Sequence, residues 1–173
     1  MAGLSVHRLM RVLDTAALLA WPLEAIRGQL SPASLFDELS RHGPDRAILL
    51  EHDGPLWVQV EETMRALARD AAKKSGDLHG LSPEDVDALG LALAKGFELV
   101  TDDYRLQNIC AHLNHPCSGV LQQGIQAAWT WRVECRGCRR EVAFEAEVPS
   151  KAELAEMRCD DCGSPLRSKR VRA

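Results

Sequence analysis

The sequence predicts an α/β fold: a parallel-sheet α/β/α sandwich followed by a small cysteine-stapled module. Three observations carry that expectation. Short apolar runs suited to buried strands alternate with stretches of helical period, the order a parallel sheet requires. Aspartates recur at the ends of those runs, where open α/β sheets place their ligand crevices. Four of the six cysteines fall in two Cys-x2-Cys pairs, Cys135/Cys138 and Cys159/Cys162, separated by 20 residues, a metal-binding spacing.

The elements follow in order. Met10 to Leu13 reads as a first strand ending at Asp14 in RVLDTAALL, with a helix from just after Thr15. Asp14 therefore occupies a strand-to-helix turn, where a plain helix cap is the alternative. SPASLFDELSRHG reads as a helix capped by Ser31, opened by Pro32 and ended by Gly43, with Leu35, Phe36 and Leu39 inward. Glu38 borders that apolar side and is the better inward acid, whereas Asp37 can pair with Arg41 in solvent. Glu51, Glu61 and Glu62 read as surface charges. Pro44 to Pro55 suggests a short helix and a loop, and LWVQV a strand. EETMRALARDAAKKSGD is a helix with Met64, Leu67, Ala68 and Ala71 inward, stopped by Gly76.

Leu81 to Asn108 is the most informative stretch. Ser82 and Pro83 start a helix, Val86, Leu89 and Leu93 share one face, and Gly96 stops it. FELVT is a buried strand followed at once by Asp102 and Asp103. A second helix follows with Leu106, Ile109, Cys110 and Leu113 inward, and CSGVL is a last strand. Asp85 stands in the first turn of its helix, where Ser82-x-x-Asp85 also resembles a capping box. Each acid alone suits a cap. Several at corresponding turns of one sheet read as an acidic metal site.

Charge divides the chain. Residues 1–124 carry 11 Lys and Arg against 17 Asp and Glu, and residues 125–173 carry 10 against 8. An acidic unit, 1–124, and a basic one, 125–173, have different jobs. No apolar run approaches the ~20 residues of a membrane span, and Asp14 interrupts the apolar stretch that could imitate a signal peptide. Paired Cys-x2-Cys motifs favour metal binding in a reducing compartment over disulfides, so the expected location is cytoplasmic. One structural zinc ion held by Cys135, Cys138, Cys159 and Cys162 follows from the spacing, because each turn presents two thiolates along one edge of a tetrahedron. Trp131, Val133, Val142 and Phe144 alternate and would form the small core of this zinc ribbon. Cys110 and Cys117 read as core residues.

Asp14 in VLDT, Asp85 in LSPEDVDALGLALA and the run TDDYRLQN together resemble the PIN-domain nucleases. Joined to AAKKSGDLHG before them and a four-cysteine ribbon after them, they are similar to the rRNA-maturation endonucleases of archaea and eukaryotes. The resemblance implies a PIN-like fold and cleavage of precursor small-subunit rRNA, within the pre-ribosomal subunit, to form its mature 3′ end. It implies catalytic roles for Asp14, Glu38, Asp85 and Asp103 with Asp102 beside it, Thr15 and Thr101 orienting them. Ala16 replaces the hydroxyl residue common in PIN domains. One or two Mg²⁺ or Mn²⁺ ions would sit on Asp14, Asp85 and Asp103, because hard cations suit carboxylates and relieve their repulsion. The acidic unit repels RNA, so phosphate contacts would come from Arg136, Arg139 and Arg140 on the first knuckle and from Arg167, Lys169, Arg170 and Arg172 in a basic tail. A toxin-type PIN ribonuclease and a catalytically silent RNA- or protein-binding scaffold are the other readings; the appended ribbon speaks against the former.

Overall fold

Strand and helix do alternate through the first part of the chain. The computed structural model describes residues 9–121, 129–144 and 148–172. The first strand, β1 (Arg11–Leu13), leads into α1 (Thr15–Ala20) and the short α2 (Leu23–Ile26). After β2 (Leu30–Pro32) come α3 (Leu35–His42), α4 (Pro44–Asp53) and β3 (Leu56–Val58). The long α5 (Glu62–Ser75), a 3-10 turn at Leu78–Gly80 and α6 (Pro83–Lys95) precede β4 (Glu98–Val100), α7 (Tyr104–Leu113) and β5 (Cys117–Ser118).

All five strands pair in parallel, in the order β3-β2-β1-β4-β5. The order reverses between β1 and β4, which opens a crevice beyond their carboxyl ends. Side chains alternate across the sheet, so Val12 and Leu99 enter one core with Ala68, Leu89, Leu91 and Ile109 of α5, α6 and α7. Leu13 and Val100 enter the opposite core with Leu18, Leu39 and Leu50 of α1, α3 and α4. Each fully buried leucine there contributes about 1.5–3 kcal/mol relative to exposure.

Several expected details differ. Ser31 and Pro32 do not cap α3; they lie in β2, and the Ser31 hydroxyl donates to the Leu13 carbonyl at 3.0 Å. Helix α3 begins only at Leu35. Leu67 is 50% exposed and Leu113 38%, so neither is an inward residue. Helix α4 occupies ten residues, Pro44–Asp53, most of the stretch read as helix and loop.

A second, three-stranded sheet follows. Its centre is β6 (Trp129–Cys135), flanked by β7 (Glu141–Val142) and β8 (Leu166–Arg172), all antiparallel, with α8 (Lys151–Glu156) alongside. The basic stretch expected as a tail is therefore a strand, in register with β6 from Cys135↔Leu166 to Trp129↔Arg172. Val133, Cys135, Leu154, Cys159 and Leu166 form the small core, with Val142 and Phe144 against it.

Trp131 lies elsewhere than expected: it turns toward the first unit, where its indole N–H donates to Asp77 at 2.9 Å. Asn108 on α7 also donates to Asp77, at 2.7 Å, and closes Trp129 between its two amide atoms, accepting from the Trp129 N–H and donating to its carbonyl. Gly76 ends α5 with φ +81°, and a Cβ there would come 2.9 Å from Trp131 Cβ. That position thus needs glycine twice over, for the left-handed turn and for the indole. The expected junction between residues 124 and 125 lies outside the described residues.

Candidate functional site

The crevice beyond β1 and β4 is built by the turns that end those strands. Asp14 follows β1 directly and caps α1, its Oδ1 accepting from the Thr15 N–H at 2.7 Å. Its other oxygen accepts from the Thr101 hydroxyl at 2.6 Å, and that hydroxyl accepts from the Asp103 N–H at 3.0 Å. Thr101, fully buried at the end of β4, thus ties the two turns together. Gln107 of α7, also buried, fixes the turn by donating to the Thr101 carbonyl at 2.8 Å. The one signal for Gln107 in the sequence is a polar residue one step from Leu106 on an apolar helix face.

Glu38 reaches the same crevice from α3, where it accepts from the Thr15 hydroxyl at 2.5 Å. Asp85 enters from α6 and completes the capping box with Ser82, accepting from the Ser82 N–H at 2.8 Å. Asp103 caps α7 by accepting from the Arg105 N–H at 2.7 Å. Cap and cleft acid are thus compatible in one residue. Asp102 differs, because its carboxylate turns to the chain beyond β5 and accepts from the N–H groups of Val120 and Leu121. It holds the chain leaving the sheet.

The four converging carboxylates feel one another. Burial pushes the Asp14 carboxyl up to about 6 against the lowering effect of its Thr101 and Thr15 hydrogen bonds, and the charges of Asp85 and Glu38 push the same way. Burial also raises Asp85 against its Ser82 hydrogen bonds, with Asp103 and Glu38 adding to the rise. Among the described residues none of the four is ion-paired. Their oxygens are spread, however: among the described residues the only group whose ligand atoms all lie within 4.8 Å of one another is that of the four cysteines. Hard oxygen donors, with Asp14 and Asp85 raised in their affinity for protons, fit a hydrated divalent cation, which fills its remaining positions with water.

The second candidate centre is that cysteine group. Sγ atoms of Cys135 and Cys162 lie 3.4 Å apart, and those of Cys138 and Cys159 3.7 Å. A tetrahedral ion with bonds of about 2.3 Å has an edge of about 3.8 Å. The donor set fits. Hydrogen bonds from the Ser164 side chain and backbone, with smaller ones from Cys135 and Cys138, hold Cys162 down at about 6, whereas, against its Arg140 backbone hydrogen bond, burial and the other three thiols push Cys138 up to about 12. The residue after each knuckle has left-handed backbone, Gly163 at φ +70° and Arg139 at φ +66°.

Most of the cations expected to meet phosphate already have protein partners. Arg139, Arg167 and Lys169 surround Glu134, Arg140 pairs with Asp161, and the Arg170 guanidinium lies 4.6 Å from the Trp129 ring centre. Arg136 is exposed and, among the described residues, has no carboxylate partner.

No family model matches the chain. Endoribonuclease Nob1 of Methanothermobacter thermautotrophicus is 36% identical over 115 residues, 64% of this chain and 62% of that protein. Endoribonuclease Nob1 of Archaeoglobus fulgidus is 38% identical over 109 residues, 60% of this chain and 58% of that protein. Ribonuclease VapC1 of Thermoplasma acidophilum is 30% identical over 162 residues, 90% of this chain and 76% of that protein. The chain belongs to the PIN-domain ribonuclease family. The expected resemblance to the archaeal rRNA-maturation endonucleases is borne out by the Nob1 matches. The chain spans about three fifths of the length of the two Nob1 proteins. The match to ribonuclease VapC1 covers 90% of the chain and so extends past residue 124. No helix among the described residues is long and apolar enough to cross a membrane.

Proposed function

We propose that the protein is a divalent-metal-dependent endoribonuclease that cleaves precursor small-subunit rRNA, within the pre-ribosomal subunit, to form its mature 3′ end in the cytoplasm. One observation supports the catalytic part: Asp14, Glu38, Asp85 and Asp103 come from turns and helices around the point where the strand order reverses, close enough to raise the Asp14 and Asp85 carboxyls, with no cationic side chain paired to them among the described residues. The Nob1 similarity supports the substrate.

Asp14, Asp85 and Asp103 would hold Mg²⁺ or Mn²⁺, and Glu38 would orient a water against the phosphodiester. When bound, such an ion supplies Lewis-acid stabilisation of the phosphoryl oxygens and the leaving 3′ oxygen. Thr101 holds Asp14 and the Asp103 turn in one geometry, and Thr15 holds Glu38. Asp102 would act on position alone, by fixing the chain after β5. The four cysteines would bind one structural zinc ion, the metal that a closed tetrahedron of thiolates suits. Arg136, Arg139, Arg140, Lys169 and Arg170 would meet RNA phosphates on the ribbon, those with protein partners exchanging them.

The test is incubation of metal-replete protein with a transcript spanning the rRNA 3′ end, with mapping of the product ends. A single cut that needs Mg²⁺ or Mn²⁺ and falls by at least about 100-fold in Asp14→Asn is expected. No cutting above the Asp14→Asn level would leave a binding scaffold. The similarity to ribonuclease VapC1 over most of the chain favours a toxin-type ribonuclease as second reading, and cutting of unrelated RNAs in preference to the precursor would select it.

A further inference from the structure

A cavity of about 310 Å³ opens where the two units meet, lined among others by His79, Gly80, Arg105, Trp131, Lys151 and Ser168. It adjoins the acidic crevice through the chain itself. Arg105 lies two residues beyond Asp103 and has its N–H on that carboxylate. Gly80 lies two residues before Ser82, the capping partner of Asp85.

The cavity does not end at the seam. A second one, of about 270 Å³, shares Lys151 and Ser168 with it and adds Arg136 and Arg167 on the ribbon. Cations therefore follow one another from the edge of the acidic crevice: Arg105, then Lys151, then Arg136, with Arg167 beside them on Glu134. Arg105 and Lys151 are exposed, and among the described residues neither has a carboxylate partner. Two described acids lie nearby and are held by hydrogen bonds: Asp77 accepts from Trp131 and Asn108, and Glu153 caps the Ser150 N–H while facing His79. Arg105 is also placed. A Cβ on Gly80 would come 2.3 Å from its Nε and 2.6 Å from its Cδ, so the Arg105 side chain packs against the Leu78–Gly80 turn.

We propose that this seam is a phosphodiester-binding track for single-stranded RNA, with Arg105 and Lys151 its principal cations, guiding the strand between the acidic crevice and the first cysteine knuckle. It rests on the ribonuclease reading and names the part of the substrate that reading leaves unplaced. A single strand suits the geometry, because the track is a narrow line of cations with hydroxyls at Ser150 and Ser168 and an indole edge at Trp131.

The track is tested by fluorescence anisotropy with a labelled oligoribonucleotide, on Asp14→Asn protein so that the strand survives. Adding Arg105→Ala and Lys151→Ala should weaken binding about tenfold or more and reduce the log–log salt slope by roughly 1.4, two phosphates' worth for a single strand. Gly80→Ala keeps every charge but displaces the Arg105 guanidinium, and should give a smaller loss. Methylphosphonates introduced one linkage at a time should weaken binding at particular linkages, and those same linkages should lose their effect in the double variant. Unchanged affinity and slope in a double variant with native circular dichroism would overturn the track. So would competition by millimolar inorganic phosphate that matches unlabelled RNA, which would mark a free-phosphate site. The two readings fail separately: cleavage with no binding defect removes the track alone, and a binding defect without any cleavage by the native chain removes the nuclease alone.

Discussion

Two places in this molecule suit metal ions, and they are prepared for them in opposite ways. The cysteine knuckles bring four soft donors within 4.8 Å of one another around a core of five buried residues. The acidic crevice spreads its hard donors, and hydrogen bonds hold each one to a helix end or a threonine. The ribbon has too little apolar interior to keep four thiolates together unaided. The five-stranded unit rests on two cores and tolerates its carboxylates as caps. A metal that completes a fold and a metal that only occupies a finished one should be distinguishable by experiment.

Loss of the knuckle metal should give the largest effect. Structural zinc contributes on the order of 10 kcal/mol to modules of this kind. Cys159→Ser should therefore abolish zinc content and remove hydrogen-exchange protection from β6 and β8, with α5, α6 and α7 still protected. Retained protection in β6 without zinc would erase the contrast.

The crevice should respond to pH instead. Asp14 has a folded value of about 6 against an ordinary 3.8, so its proton binds more tightly in the folded protein. The resulting stabilisation is fully present below about pH 4 and is lost as pH rises through about 6. Without divalent ions it amounts to at most about 3 kcal/mol, reduced by whatever water enters the open crevice. Thermal midpoints should fall between pH 5 and pH 7.5 in the native chain and much less in Asp14→Asn. Mg²⁺ or Mn²⁺ should raise the midpoint more at pH 7.5 than at pH 5.

The seam offers a smaller effect. Asn108→Ala leaves Asp77 and the Trp129 backbone short of partners and should lower stability by about 1–3 kcal/mol. Urea unfolding followed at both units would then lose its coincidence. The smallest change expected is Arg139→Gly, which relieves a left-handed non-glycine residue by about 1–2 kcal/mol and should stabilise the ribbon. Measured by anisotropy, it should also weaken RNA binding slightly, because one knuckle charge is gone.

How far the sequence revealed these sites depended on whether local chemistry or distant partners decided the structure. Ser82, Pro83, Asp85 and Gly96 act within their own helix, and their reading needed no tertiary knowledge. The cysteine spacing was similarly self-contained. Ser31-Pro32 went the other way: the dipeptide imitates a helix start, but Leu13 and Trp57 on neighbouring strands claim it for β2. Leu166–Arg172 has almost no apolar period, because its cations gather on Glu134 of β6, so it looked like a tail. Asn108 and Trp131 form a polar contact between distant segments that no periodicity encodes.

The packing of half-buried Trp131 against Gly76 has a spectroscopic consequence. The four indoles fall into two pairs: Trp21 and Trp57 border the helical layer of α1, α3 and α4, where Trp57 meets Phe36 edge to face at 5.3 Å. Trp129 and Trp131 stand at the seam, one under a guanidinium and the other on a carboxylate. Native emission is thus a two-channel signal, one channel insensitive to parting of the units and the other shifting to longer wavelength as water reaches the second pair. Replacing Trp21 and Trp57 by phenylalanine would leave a chain whose own light reports whether the ribbon is docked, with no dye attached.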